Sequence, residues 1–130
     1  MRHTSRKTRR SLERIADSLI QIVTLKQAKG QCIGYAPDCT KVAIAGHHVC
    51  GRRVYPEARH EERNVVAVCE ICHRAIEDDK RLFLGWLMIH LPAHYEFHYV
   101  ITRGELPRTT VDGLRATVVR LRGMLRGVAV

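Results

Sequence analysis

Apolar residues recur at helical spacing soon after the start of the chain. Leu12, Ile15, Leu19 and Ile22 follow at three- and four-residue steps, which places them on one face of a helix. Ser11 serves as its N-cap and Lys29-Gly30 as its stop. Residues 31–40, Gln-Cys-Ile-Gly-Tyr-Ala-Pro-Asp-Cys-Thr, are turn-rich. The β-branched and small run from Val42 to Val49 predicts a strand, and Val65–Val68 a second one. Between them, residues 50–63 are polar, hold Gly51 and Pro56, and read as a loop. Residues 70–81 predict a helix whose charged tail, Glu77-Asp-Asp-Lys-Arg81, faces water. Leu82 to Leu91 is apolar, holds the single Trp86, and predicts a helix that covers the core until Pro92 ends or kinks it. Residues 94–102 are mixed and read as a strand. A last helix is expected from Thr109, with Asp112 three residues on as a weak capping box. Its stripe of Val111, Leu114, Val118, Leu121 and Leu125 packs inside the molecule or, less readily, forms a seam to a second copy. The pattern gives an α+β domain of 130 residues: a basic, mobile arm (1–10), a helix (11–29), a central unit (30–81) and a helical extension (82–130).

Charge changes this picture at the ends. Lys+Arg number 22 against 13 Asp+Glu, a net charge of +9. Arg2, Arg6, Lys7, Arg9, Arg10 and Arg14 face only Glu13 in the first 14 residues, and six arginines face Glu105 and Asp112 over residues 103–126. Two basic ends suit a polyanionic partner, because neutralising phosphates releases counterions. No apolar run is long enough to span a membrane, and the basic start lacks the apolar segment of a secretory signal. A cytoplasmic location follows as the expectation. Five cysteines in a reducing compartment point to metal before disulfides.

Cys69-Glu-Ile-Cys72 places two thiolates at chelating distance in one tight turn. Cys32 and Cys39, with six residues between them and Gly34 and Pro37 to turn the loop back, complete a four-cysteine set for one structural zinc. Cys50 is the alternative to Cys39. Two other readings of the C-x-x-C pair stay open: c-type haem attachment through Cys69-x-x-Cys72-His73, and a redox pair at a helix start. His47 and His48 end the first strand on opposite faces, so they can do different work. Asn64 opens the second strand, and His73 sits in the first turn of the helix that follows. His90, His94 and His98 recur every four residues, but Pro92 breaks their register, which favours incidental roles.

Gly46-His-His-Val49, Asn64-Val-Val-Ala-Val-Cys69 and Cys69-Glu-Ile-Cys72-His73 together resemble the cysteine-bearing branch of the HNH endonuclease superfamily. The resemblance covers residues 28–80, and small phage and prophage HNH proteins, recombination-type endonucleases among them, have similar layouts. It implies a ββα-metal core stapled by the cysteine zinc site, and DNA as the partner of a monomer or homodimer in the (host) cytoplasm. It implies that His48 is the general base, an imidazole whose pKa lies near working pH. It implies that His47 and His73 bind a catalytic divalent ion such as Mg2+ or Mn2+, and that Asn64 holds the loop that orients His48. Many relatives carry Asp where this chain has His47, which leaves Mg, Mn, Ni and Zn all open as that ion. Arg52, Arg53, Arg59 and Arg63, with His60, form the basic loop expected to grip phosphate, Arg53 foremost. The rival from another class is a zinc-stabilised nucleic-acid-binding module without catalysis. It needs the cysteines and the basic ends but has no use for His47, His48, Asn64 and His73 together.

Overall fold

The computed structural model describes residues 2–104 and 109–128, without the side chains of residues 2–5 and 128. Glu105 and Arg108 of the basic C-terminal stretch lie outside the described residues. Five helices surround a two-stranded antiparallel sheet, an α+β arrangement: α1 (Arg2–Gln27), β1 (Ala45–His48), β2 (Val65–Val68), α2 (Glu70–Asp78), α3 (Lys80–His90), α4 (Pro92–Thr102) and α5 (Val111–Val128).

The expected basic arm is a correction. Residues 2–10 belong to α1, so Ser11 lies inside the helix and does not cap it. Arginine and lysine are good helix formers, and no glycine or proline interrupts the run. The expected stripe on α1 is also rotated. Ala16, Ile20, Val23 and Thr24 are buried, whereas Ile15 and Ile22 are exposed. The partner explains the rotation. Helix α5 lies along α1 in the same direction: Arg9 Nη2 donates to the Thr109 carbonyl (2.6 Å), and Ile20 and Val23 pack with Leu121, Met124 and Leu125 further on. Leu114, Val118 and Leu121 are buried, so the α5 stripe is used inside the molecule. Helix α5 starts at Val111, two residues after the expected start, and Thr110 Oγ1 accepts from Gly113 N (3.0 Å). Helix α1 stops as its sequence suggests: Lys29 and Gly30 take positive φ (53° and 71°), and Gly30 N returns to the Leu25 carbonyl (2.9 Å).

The two strands pair in the order Ala45–Val68, Gly46–Ala67, His47–Val66 and His48–Val65. Strand β1 is shorter than expected, with Val42 and Ile44 exposed ahead of it. All four residues of β2 are buried, because the sheet is covered on both sides. Helix α1 reaches β1 through a side-chain amide. Gln21 Nε2 donates to the Gly46 carbonyl (3.1 Å), and Gly46 N donates to Gln21 Oε1 (2.7 Å). The approach needs a glycine, since a Cβ at position 46 would lie 2.7 Å from Val65 Cγ1.

Residues 70–81 form two helix segments rather than one. Asp79 closes α2 and opens α3, its Oδ1 accepting from Leu82 N (2.9 Å). Residues 94–102, read as a strand, are helical. Pro92 occupies the first turn of α4, where its fixed φ suits a helix start, and Phe97 and Ile101, four apart, are buried. No helix among the described residues is long and apolar enough to cross a membrane.

His94, on α4, gives a pH-dependent term. Burial lowers its pKa below 6.5 and outweighs the opposing hydrogen bond at Val65. The unfolded chain therefore takes up this proton first, so the contribution of His94 is complete above pH 6.5 and falls away as the pH drops below it. Equilibrium unfolding followed from about pH 7.5 to 5.5 is expected to show a shallower loss of stability in His94→Gln than in the wild type. Equal slopes would remove His94 from the account.

Candidate functional site

The loop after α1 and the turn after β2 bring Cys32, Cys39, Cys69 and Cys72 together, with all four sulfurs within 4.8 Å of one another. Cys39 Sγ and Cys69 Sγ are 3.8 Å apart. A tetrahedral zinc with bonds of about 2.3 Å requires sulfurs about 3.8 Å apart. Backbone amides already point at the sulfurs as they would at thiolates: Ala36 N to Cys72 (3.2 Å), Cys69 N to Cys32 (3.2 Å), Lys41 N to Cys39 (3.2 Å) and Cys72 N to Cys69 (3.4 Å). Burial raises the Cys69 thiol, but hydrogen bonds from Cys72 and Thr40 outweigh it and bring it down to about 6. The donor set fits a structural zinc. Cys50 stands apart, buried with Ala58, Phe97 and Ile101, and burial pushes its thiol up to about 11. Its sulfur is not part of the four-sulfur cluster, in which Cys39 is the fourth donor. The same cluster removes the haem and redox readings of Cys69-x-x-Cys72, because both sulfurs already face Cys32 and Cys39.

A second group also draws on α2. His47 at the end of β1 and His73 on α2 have ring centroids 4.9 Å apart, and Glu77 joins them one turn further along α2. Glu77 Oε1 is 3.7 Å from His47 Nδ1 and 3.9 Å from His73 Nε2. These separations are too long for hydrogen bonds, and the three donor atoms lie within 4.8 Å of one another. Burial, reinforced by His73, holds the His47 pKa at about 4 despite Glu77. His47 is therefore neutral at pH 7 and keeps a lone pair free for a metal. Two imidazoles and a carboxylate are a donor set that fits a divalent ion.

Glu77 was expected to face water in a charged tail. Its spacing of four from His73 is the signal that places both on one face of α2.

His48 opens onto the same cleft, a cavity of about 540 Å³ that also reaches Gln21, Arg52, Lys80 and His98. His48 Nε2 lies 2.8 Å from the Arg59 carbonyl. A carbonyl only accepts, so Nε2 carries the proton and Nδ1 is left with its lone pair. Burial lowers the His48 pKa, against the Arg59 carbonyl, and keeps the ring neutral.

Asn64 is brought close in the chain but not into the cleft. It is 1% exposed, and all its side-chain bonds go to backbone: Oδ1 accepts from Cys50 N (2.7 Å), while Nδ2 donates to Cys50 O (3.0 Å) and Ala58 O (3.1 Å). It clasps the loop between the strands, as its expected role requires.

The four arginines expected to grip phosphate separate. Arg52 lines the cleft, and Arg53 is exposed outside it. Arg63 lies over the Phe97 ring at 4.7 Å. Arg59 is turned inward, bonded to Asp17 and Glu13 of α1. The three later histidines separate as well: His90 stacks on Trp86 (4.6 Å), His94 packs near Val65, and only His98 reaches the cleft. Lys80, Gln21 and His98 were not legible as cleft residues, since nothing in their local sequence marks them.

No family model, no curated protein and no solved structure matches the chain.

Proposed function

We propose that the chain is a metal-dependent DNA endonuclease of the HNH type, in which β1, β2 and α2 form the ββα-metal core. One observation carries the reading. His47, His48, His73 and Glu77 all line one cleft, and the donor atoms of His47, His73 and Glu77 lie within 4.8 Å of one another.

His48 Nδ1 takes the proton from an attacking water as the new P–O bond forms; the bond from phosphorus to the 3′ oxygen breaks, and that oxygen leaves and takes a proton from solvent. His47, His73 and Glu77 would hold a divalent ion such as Mg2+ or Mn2+, which would supply charge neutralisation at the scissile phosphate and the leaving oxygen. Arg52 and Lys80, which both line the cleft, hold the phosphate there. Asn64 keeps the loop in place through its three backbone bonds. The net charge of +9 supports a nucleic-acid substrate, and the HNH resemblance implies 5′-phosphate and 3′-hydroxyl products.

The deciding experiment is nicking of supercoiled and branched DNA by the zinc-loaded protein with Mg2+ or Mn2+. Cutting that stops with chelation of the added ion supports the reading. Tight binding without cutting under any divalent ion overturns it in favour of the non-catalytic zinc module. The ligand set is checked separately. Glu77→Gln is expected to weaken Mn2+ binding to the zinc-loaded protein at least tenfold, since even outer-shell partners are worth about 10–100-fold. Calorimetric titration giving wild-type affinity would remove Glu77 from the set.

A further inference from the structure

Helix α1 lies outside the stretch that resembles HNH proteins, yet it is tied to the loop that holds His48. The tie runs through Arg59, whose carbonyl accepts from His48 Nε2 (2.8 Å). The guanidinium of the same residue donates from Nε and Nη2 to the two oxygens of Asp17 (2.8 and 2.6 Å) and from Nη1 to Glu13 (2.9 Å). Asp17 Oδ1 also accepts from His60 Nε2 (2.8 Å). The partners are about one-quarter exposed, so solvent screens them only in part. A bidentate arginine–carboxylate pair fixes direction as well as distance.

This clasp is not what seats α1. Ala16, Ile20 and Val23 are buried along α1, and Gln21 holds Gly46. The clasp instead completes the fastening of three consecutive residues. Asn64 Nδ2 holds the Ala58 carbonyl, Asp17 and Glu13 hold the Arg59 side chain, and the His60 carbonyl accepts from Arg120 Nη2 of α5 (3.2 Å). The one backbone atom in this segment that faces His48 is the Arg59 carbonyl.

We propose that Asp17 and Glu13 are positioning residues for His48. They act through Arg59 to hold the carbonyl that fixes its tautomer and ring direction. The catalytic consequence rests on the nuclease reading; the positioning itself does not.

The test uses the full-length, zinc-loaded chain with Asp17→Asn, Glu13→Gln, Arg59→Ala and the double variant Asp17→Asn/Arg59→Ala. Long-range nitrogen–proton NMR without DNA reads the His48 tautomer. The wild type is expected to show protonated Nε2 alone. Asp17→Asn and Arg59→Ala are expected to show a mixture with protonated Nδ1. In nicking assays kcat is expected to fall about tenfold or more with KM unchanged, as misplacement of a reacting group does. The double variant should lose no more than either single one, because both cut the same link. Glu13→Gln takes the charge from one bond of three and should show a smaller shift of the same kind; it carries the test if Asp17→Asn does not fold. A single wild-type tautomer in all folded variants overturns the proposal, as does an additive loss in the double variant. If no DNA is cut even by the wild type, the tautomer measurement still decides the positioning while the nuclease reading fails by itself.

Discussion

Cys72→Ser is expected to unfold the protein, and chelation of zinc from the wild type is expected to do the same. Cys72 is fully buried within the cluster of Ala36, Val66, Val68, Ile76, Phe83 and Leu87, and its sulfur faces the other three cysteines. Cys32 and Cys39 come from a segment with little else to hold it. Residues 31–44 carry only isolated backbone bonds, such as Ile33 N to Ala67 O (3.0 Å) and Cys32 N to Lys41 O (2.9 Å). A structural zinc in small domains contributes about 10–16 kcal/mol. That equals or exceeds the total stability of about 5–15 kcal/mol usual for one domain. Losing one thiolate therefore removes most of what separates folded from unfolded chain. Circular dichroism melting with metal analysis checks this. The wild type should carry one zinc per chain and Cys72→Ser none, with no cooperative transition. Cys50→Ser should keep its zinc and its transition, because Cys50 lies in a different cluster. A Cys72→Ser protein that melts cooperatively near the wild-type temperature would show that the four cysteines do not hold the fold.

The parts of the molecule that local pattern controls were legible in the sequence. Val65–Val68 is a run of four apolar residues between a polar loop and a cysteine turn, and it forms the strand expected. The C-x-x-C turn and the positive-φ stop at Lys29-Gly30 also depend on neighbours in the chain. Where two patterns fit the same residues, tertiary contacts decided. Tyr95, Phe97, Tyr99 and Ile101 alternate with polar residues and Val100, a strand period, yet Phe97 and Ile101 also lie four apart and pack as a helix face. The α1 stripe rotated for the same kind of reason: alanine at 16 allows close approach of a neighbour, and hydropathy alone favours isoleucine at 15. In the site, residue type and order singled out His47, His48 and His73, which line one cleft. Arg59 did not. Its basic neighbours suggested phosphate, but its partners are Glu13 and Asp17, 46 and 42 residues away. No local spacing announces a partner at that distance.

His48→Ala is expected to slow cleavage about 10²–10⁴-fold, the range attributed to a positioned general base, while leaving the protein folded and zinc-loaded. The fold should survive because the imidazole makes one side-chain bond, to the Arg59 carbonyl, and itself lines an open cleft. Ion binding should also survive. The donor group of His47, His73 and Glu77 does not include His48, so removing His48 leaves those three donors in place. Asn64→Ala separates the two kinds of contribution. It strips three hydrogen bonds from a residue 1% exposed and leaves buried backbone groups of Cys50 and Ala58 without partners. Each such group costs about 1–3 kcal/mol, so Asn64→Ala should lower the melting temperature and the cleavage rate together. His48→Ala should lower the rate alone. Initial nicking rates at saturating Mg2+ or Mn2+, set beside thermal melts of both variants, distinguish a reacting group from a structural one. A His48→Ala protein that cuts within tenfold of the wild type would move the base elsewhere in the cleft, with His98 the next imidazole to substitute.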